Sequence, residues 1–109
     1  MFKLAADPRF THKVLVFVPV DGGHRQETFK ATYRVISAEE AAKYDLQTTE
    51  GSADFLREVL IGVDDVTGED GSALTWSDEM RDQLLAIPYV RAGLARTYFQ
   101  AVNKAKSGN

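Results

Sequence analysis

Apolar and polar residues alternate along the segment from Arg25 to Val35 with the two-residue period of a half-exposed β-strand. One face carries Phe29, Ala31, Tyr33 and Val35, and the other carries Thr28, Lys30, Thr32 and Arg34. The preceding segment, Lys13 to Val20, is apolar at every position from Val14 to Val18, which predicts a strand that is buried on both faces. The turn sequence Asp21-Gly22-Gly23-His24 joins the two segments and predicts an antiparallel hairpin.

The first strand of this hairpin has a second apolar face that must be buried, whereas the second face of its partner strand is polar. We expect the chain's own helices to supply that cover. The alternative is another subunit, because an uncovered apolar strand in a small protein favours pairing with a second chain.

Two helical segments are predicted after the hairpin. Ser37 and Glu40 form a capping box in front of a short helix with Ala38, Ala41, Ala42 and Leu46. A polar loop follows over residues 47–52, and Ser52 or Asp54 is expected to cap the second helix. That helix is predicted to turn Phe55, Leu56, Val59 and Leu60 inward and to end at Gly62.

The segment from Val63 to Trp76 has the pattern of a small second hairpin. Val63 and Val66 lie on one limb, Leu74 and Trp76 on the other, and Thr67 to Gly71 supplies the turn.

Two further helices complete the predicted fold. Ser77 caps the first, which turns Met80, Leu84 and Ile87 inward, and Pro88 opens the second. An apolar stripe follows Pro88, formed by Val90, Leu94, Tyr98, Ala101, Val102 and Ala105. With 109 residues, the chain is predicted to be a single α+β domain, an N-terminal antiparallel β-hairpin packed with about four helices, with the second hairpin before the two C-terminal helices.

The last predicted helix carries a second strip beside its apolar stripe. Ala92, Ala95 and Phe99 combine small residues with one aromatic, and Arg91 and Arg96 flank them. One interpretation is a partner-binding surface, in which the small residues allow close approach and Phe99 anchors the partner. Under it, Phe99→Asp would abolish partner binding and leave the fold intact. The other is that the helix is central and buried on two sides.

Candidate chemistry is sparse. The chain has no cysteine and two histidines, His12 and His24, without metal-ligand spacing. The acidic loop from Asp64 to Gly71 does not fit an EF-hand, because Val66 and Ser77 would fall at the first and twelfth positions. No nucleophile elbow or phosphate-binding loop is present in the sequence. We therefore expect a non-enzymatic protein without a metal or cofactor.

Charge is distributed unevenly about a net value of −3. Residues 39–70 contain ten acids and two bases, whereas residues 91–109 contain four bases and no acid. Opposite signs at the two ends allow head-to-tail association, although a basic last turn also complements a helix dipole. The bases are too few for a nucleic-acid footprint, and no apolar run is long enough to span a bilayer.

The order of these segments resembles the short tail assembly chaperones of long-tailed, non-contractile bacteriophages. The resemblance covers nearly the whole chain and lies in packing patterns: Phe2-Lys3-Leu4, Val14 to Val18, Phe29 to Arg34, Ser37 to Glu40, Phe55 to Asp65, Asp70 to Glu79, Leu84 to Val90 and Tyr98. One departure concerns the Gly62-Val63 step, where relatives often carry a preceding tryptophan and this chain carries Ile61.

The resemblance implies a non-enzymatic protein that binds the tape measure protein during tail morphogenesis. Tail tube subunits and further copies of the chain are implied as additional partners. It also implies location in the cytoplasm of the bacterial host, absence from the mature virion, and a longer frameshifted form that diverges near Gly108. The alternatives are a structural minor tail or head–tail joining subunit, which would remain in the virion, and a small enzyme or ligand-binding domain.

Overall fold

The computed structural model of the protein describes residues 1–104. Its first two elements are β1 (Arg9–Val20) and β2 (Gly23–Arg34), which pair antiparallel and place Val14 opposite Phe29. The hairpin closes at Val20 and Gly23, and Gly22 takes the positive φ of 78° that the two-residue turn requires. The predicted hairpin is confirmed, and β1 begins four residues earlier than the sequence pattern indicated.

A third strand pairs with the other side of β2. β3 (Leu60–Asp64) is antiparallel to β2, so the sheet order is β1-β2-β3. The prediction that Gly62 ends a helix is wrong, because Gly62 lies within this strand and pairs with Thr32. The next pair is Tyr33 with Leu60, which leaves Ile61 as the extra residue of a β-bulge.

The helices are α1 (Ala38–Ala41), α2 (Thr49–Val59), α3 (Asp78–Ala86) and α4 (Pro88–Val102). The predicted caps of α1 and α3 are confirmed, since Ser37 accepts from the amide of Glu40 and Ser77 from that of Met80. The predicted cap of α2 is wrong. The hydroxyl of Thr48 accepts from the amide of Gly51, so α2 begins well before Ser52 and Asp54.

The small second hairpin forms around residues 66–74. The amide of Leu74 donates to the carbonyl of Val66 at 3.0 Å, and that of Gly68 donates to Ser72 at 2.9 Å. A single antiparallel bridge joins Thr67 to Ala73. The prediction that Val63 lies on the first limb is wrong, because Val63 pairs with Ala31 in β3 and a bend at Asp65 separates β3 from the hairpin.

The hydrophobic core lies between one face of the sheet and the helices. Its buried members are Val14, Val16, Phe29, Ala31, Tyr33, Phe55, Leu56, Val59, Leu60, Leu85, Val90, Leu94 and Tyr98. The strand members alternate along β1 and β2, as the two-residue period predicts.

Within residues 1–104, no helix covers the opposite face of the sheet, so the expectation that helices bury both faces of β1 is wrong. Leu15 is half-buried and Phe17 is 38% exposed, and they share this face with the exposed Thr28 and Lys30. The domain therefore has two layers, with one open sheet face.

Helix α4 packs closely against β1. A Cβ atom added to Gly93 would lie 3.0 Å from the carbonyl oxygen of Leu15, so the absence of a side chain permits the close approach. The predicted stripe is confirmed at Val90, Leu94 and Tyr98, which are buried. Val102 was expected in the stripe and is instead 38% exposed, while Ala105 lies outside the described residues.

Candidate protein-binding surfaces

The predicted strip on α4 is not uniformly exposed. Ala92 is exposed and Ala95 is half-buried. The ring of Phe99 stacks on that of Phe55, with centroids 5.2 Å apart and an interplanar angle of 16°. Since Phe55 is buried in the core, Phe99 contributes to packing between α4 and α2. A charge at Phe99 would therefore disturb the fold, contrary to the expectation that Phe99→Asp leaves it intact.

The two arginines of the strip make internal hydrogen bonds. Arg91 donates to the carbonyl oxygen of Leu85 at 2.9 Å, near the end of α3. Arg96 donates to that of Leu15 at 2.6 Å, and its guanidinium lies 5.5 Å from the ring centroid of Phe17. The arginines thus contact different elements, α3 and β1.

Arg91, Ala92 and Ala95 are brought together at a shallow groove between α4 and the start of α2. Its volume is about 250 Å³. Gln47, Thr48, Thr49, Ser52 and Pro88 complete the lining. Arg96 and Phe99 are not part of this groove lining, so the structure gathers three of the five predicted residues.

A larger groove lies beside the tip of the β1–β2 hairpin. This hairpin groove has a volume of about 930 Å³ and an apolar floor formed by Val16, Val18, Phe29, Val66, Leu84 and Ile87. Val16 and Phe29 are buried, whereas the other four are half-buried. The floor therefore continues the hydrophobic core outward to an open surface.

Acidic residues form much of the rim of the hairpin groove. Glu27, Asp65 and Glu69 line it, together with one base, Arg25. Arg25 pairs with Glu27 at 2.6 Å, and Asp65 lies 3.9 Å from Lys30. Glu69 is exposed on the loop of the second hairpin. The rim charges sum to net negative, which favours a basic occupant.

Backbone conformation sets the direction of the loop after β3, which carries Asp65 and Glu69. Asp65 adopts a left-handed φ of 64°, and its amide donates to the side chain of Asp64 at 2.9 Å. Hydrogen bonds from Ser72 lower the pKa of Asp70, which favours the charged form of that carboxylate. The loop leaves β3 as a negatively charged wall of the groove.

Sequence patterns missed the hairpin groove because its floor comes from four separate segments, β1, β2, the loop after β3 and the end of α3. The helical spacing predicts inward positions for Met80, Leu84 and Ile87, but the buried α3 residues are Met80 and Leu85. Leu84 and Ile87 are only half-buried, and both line the hairpin groove. The only signal in the sequence was the excess of apolar residues near the end of β1.

Within residues 1–104, no group of three or more histidine, aspartate and glutamate side chains is arranged to hold a metal ion. None of the helices in that range is long and apolar enough to span a membrane.

Comparison with known proteins identifies no relative: the chain matches no protein-family model, no curated protein and no solved structure.

Proposed function

We propose that this protein is a tail assembly chaperone that binds the tape measure protein, and with it tail tube subunits, during assembly of a long-tailed bacteriophage. The protein acts in the cytoplasm of the bacterial host, without catalysis, and leaves before the virion matures. The family resemblance of the sequence names this partner.

The observation that carries the proposal is the hairpin groove. A chaperone for a long helical protein needs apolar surface of its own to cover apolar stripes on its client. The groove offers six apolar side chains around a volume of about 930 Å³. The open sheet face with Leu15 and Phe17, and the α4 strip of Arg91, Ala92, Ala95, Arg96 and Phe99, are further candidate contacts.

The test is co-expression in bacteria of the tagged chain with the tape measure protein encoded in the same phage genome. We expect the chain to raise the soluble fraction of the tape measure protein and to co-purify with it. Ile87→Asp places a charge on the groove floor and should abolish co-purification. Ala92→Asp places the same charge on the exposed part of the α4 strip and tests that surface separately.

The control is Leu46→Asp, which changes an exposed apolar residue outside both surfaces. Circular dichroism of each variant checks that the fold is retained. A tape measure protein that precipitates equally with and without the chain would contradict the proposed function. Detection of the chain in purified virions would instead favour the structural minor tail or head–tail joining subunit.

A further inference from the structure

The segment before β1 carries apolar side chains that no part of the described chain covers. Met1 is fully exposed, and Phe2 and Leu4 are 83% and 89% exposed. We call residues 1–6 the N-terminal arm; Lys3 is its only charged side chain. Exposed large apolar side chains in such density are characteristic of a segment that binds another surface.

The hairpin groove complements the arm in both polarity and charge. Its floor is apolar where the arm presents Phe2 and Leu4, and its rim carries Glu27, Asp65 and Glu69 where the arm presents Lys3. An extended arm places Phe2 and Leu4 on the same side, two residues apart, so both can enter the groove together.

Phe2 and Leu4 cannot both reach the groove of their own chain. Pro8 is fixed beside β2, because its carbonyl accepts from the amide of Val35 at 2.9 Å. At ~3.6 Å per extended residue, Leu4 can lie at most ~14 Å from Pro8 and Phe2 at most ~22 Å. Phe29, the nearest floor residue on the sheet, lies opposite Val14, ~20 Å along β1, and Val16 lies ~26 Å along it.

We infer that the N-terminal arm of one copy docks into the hairpin groove of a second copy, with Phe2 and Leu4 on the apolar floor and Lys3 facing the acidic rim. The chain self-associates through this contact when no other partner fills the groove. The contact joins two different surfaces, so successive copies associate head to tail unless two chains exchange arms.

The test uses two variants with complementary defects and no other protein, so its outcome does not depend on the proposed function. The arm variant carries Phe2→Asp and Leu4→Asp, and the groove variant carries Val18→Asp. In sedimentation velocity, we expect the unmodified chain to associate with rising concentration. Each variant alone should remain at the monomer mass of 12.1 kDa.

Mixing the two variants should restore one contact, since the arm variant keeps an intact groove and the groove variant an intact arm. The expected product is a 1:1 complex of about twice the monomer mass. Leu46→Asp serves as the control and should associate like the unmodified chain, because Leu46 is exposed outside both surfaces.

Exchanging the charges of Lys3 and Glu69 gives a second test of the contact, and it changes no buried residue. Lys3→Glu and Glu69→Lys, both at exposed positions, should each weaken self-association several-fold, and the double variant should recover it. A monomeric unmodified chain, an arm variant that associates normally, or a mixture that stays monomeric would each overturn the inference.

Discussion

At the scale of single residues, two tyrosines connect segments that are distant in sequence. The hydroxyl of Tyr33 on β2 donates to the carbonyl oxygen of Leu94 on α4 at 2.8 Å, in a buried position. The hydroxyl of Tyr98 accepts from the amide of Ile36 at 3.4 Å. Their rings lie 5.5 Å apart, so hydrogen bonding and aromatic packing act at the same place.

Replacing Tyr33 by phenylalanine should destabilise the protein by about 1–3 kcal/mol, because the buried carbonyl of Leu94 loses its donor while the ring is kept. Urea unfolding followed by circular dichroism measures this change. Tyr89→Phe is the matched control, since Tyr89 is only half-buried, and it should change the free energy of unfolding by less. Equal effects of the two substitutions would contradict this account.

Burial also raises the pKa of Tyr33 and of Tyr98, because the phenolate is poorly solvated in the core. A folded-state pKa above the unfolded value contributes stability that is present below pH ~10 and is lost as the pH rises further. Absorbance at alkaline pH should therefore show Tyr33 and Tyr98 ionising together with unfolding. Ionisation of all four tyrosines in a folded chain would disprove this.

Residue-level patterns in the sequence predicted some local features and missed others for a physical reason. The cap at Ser37 was predictable because Ser37 and the amide of Glu40 that it accepts from lie within four positions. The cap of α2 was not, since Thr48, Ser52 and Asp54 all have suitable side chains. A Cβ on Gly51 would lie 1.9 Å from the carbonyl oxygen of Asp45, so the compact turn before the helix depends on that glycine.

At the scale of elements, the contact between α4 and β1 protects the edge of the sheet. β1 is an edge strand, and Arg96 hydrogen-bonds the carbonyl of Leu15 on it while stacking over Phe17. A charged side chain that covers an edge strand opposes pairing of that strand with other chains. The long α4 helix therefore both packs the core and shields part of the strand.

Replacing Arg96 by alanine should lower the free energy of unfolding by about 1–3 kcal/mol and increase β-rich aggregation, because the edge of β1 is uncovered. Chemical unfolding and thioflavin T fluorescence measure the two effects.

Arg91→Ala is the matched control, since Arg91 also donates to a backbone carbonyl, but at α3 rather than at a strand. It should lose stability without gaining aggregation. Equal aggregation of the two variants would show that the edge contact is not the cause.

The element most difficult to predict was β3. The run Leu60-Ile61-Gly62-Val63 is short and apolar, and such a run fits the end of a helix as well as a strand. The strand forms because it pairs with β2, a contact that no local pattern contains. The strong alternation of β2, in contrast, was sufficient to identify that strand and its buried face.

At the scale of the whole molecule, contacts between distant segments complete the fold. The Arg96–Leu15 bond spans 81 positions, and the Tyr33–Leu94 bond spans 61. The hairpin groove is assembled in the same way, from β1 and β2, the loop after β3, and the junction of α3 and α4. The α+β class was predictable because it depends on periodicity, whereas the groove depends on how the elements meet.

A chain that ends after Ile87 should remain unfolded, because α4 supplies the buried Val90, Leu94 and Tyr98. A chain that ends after Lys104 should fold, since every core residue named above is retained. Circular dichroism and thermal unfolding of the two truncated proteins test this pair of expectations. A cooperative thermal transition in the shorter protein would show that the sheet and first helices form a stable core alone.

The bond between Arg96 and Leu15 also has a consequence for synthesis on the ribosome. The strand that needs shielding is made first, and the arginine that shields it is made 81 residues later. At ~5–20 residues per second, about 4–16 s pass between the synthesis of Leu15 on β1 and the synthesis of Arg96. Nascent chains on neighbouring ribosomes of one messenger RNA are therefore most prone to pair with each other during this interval, and slow translation of the α4 codons would prolong it.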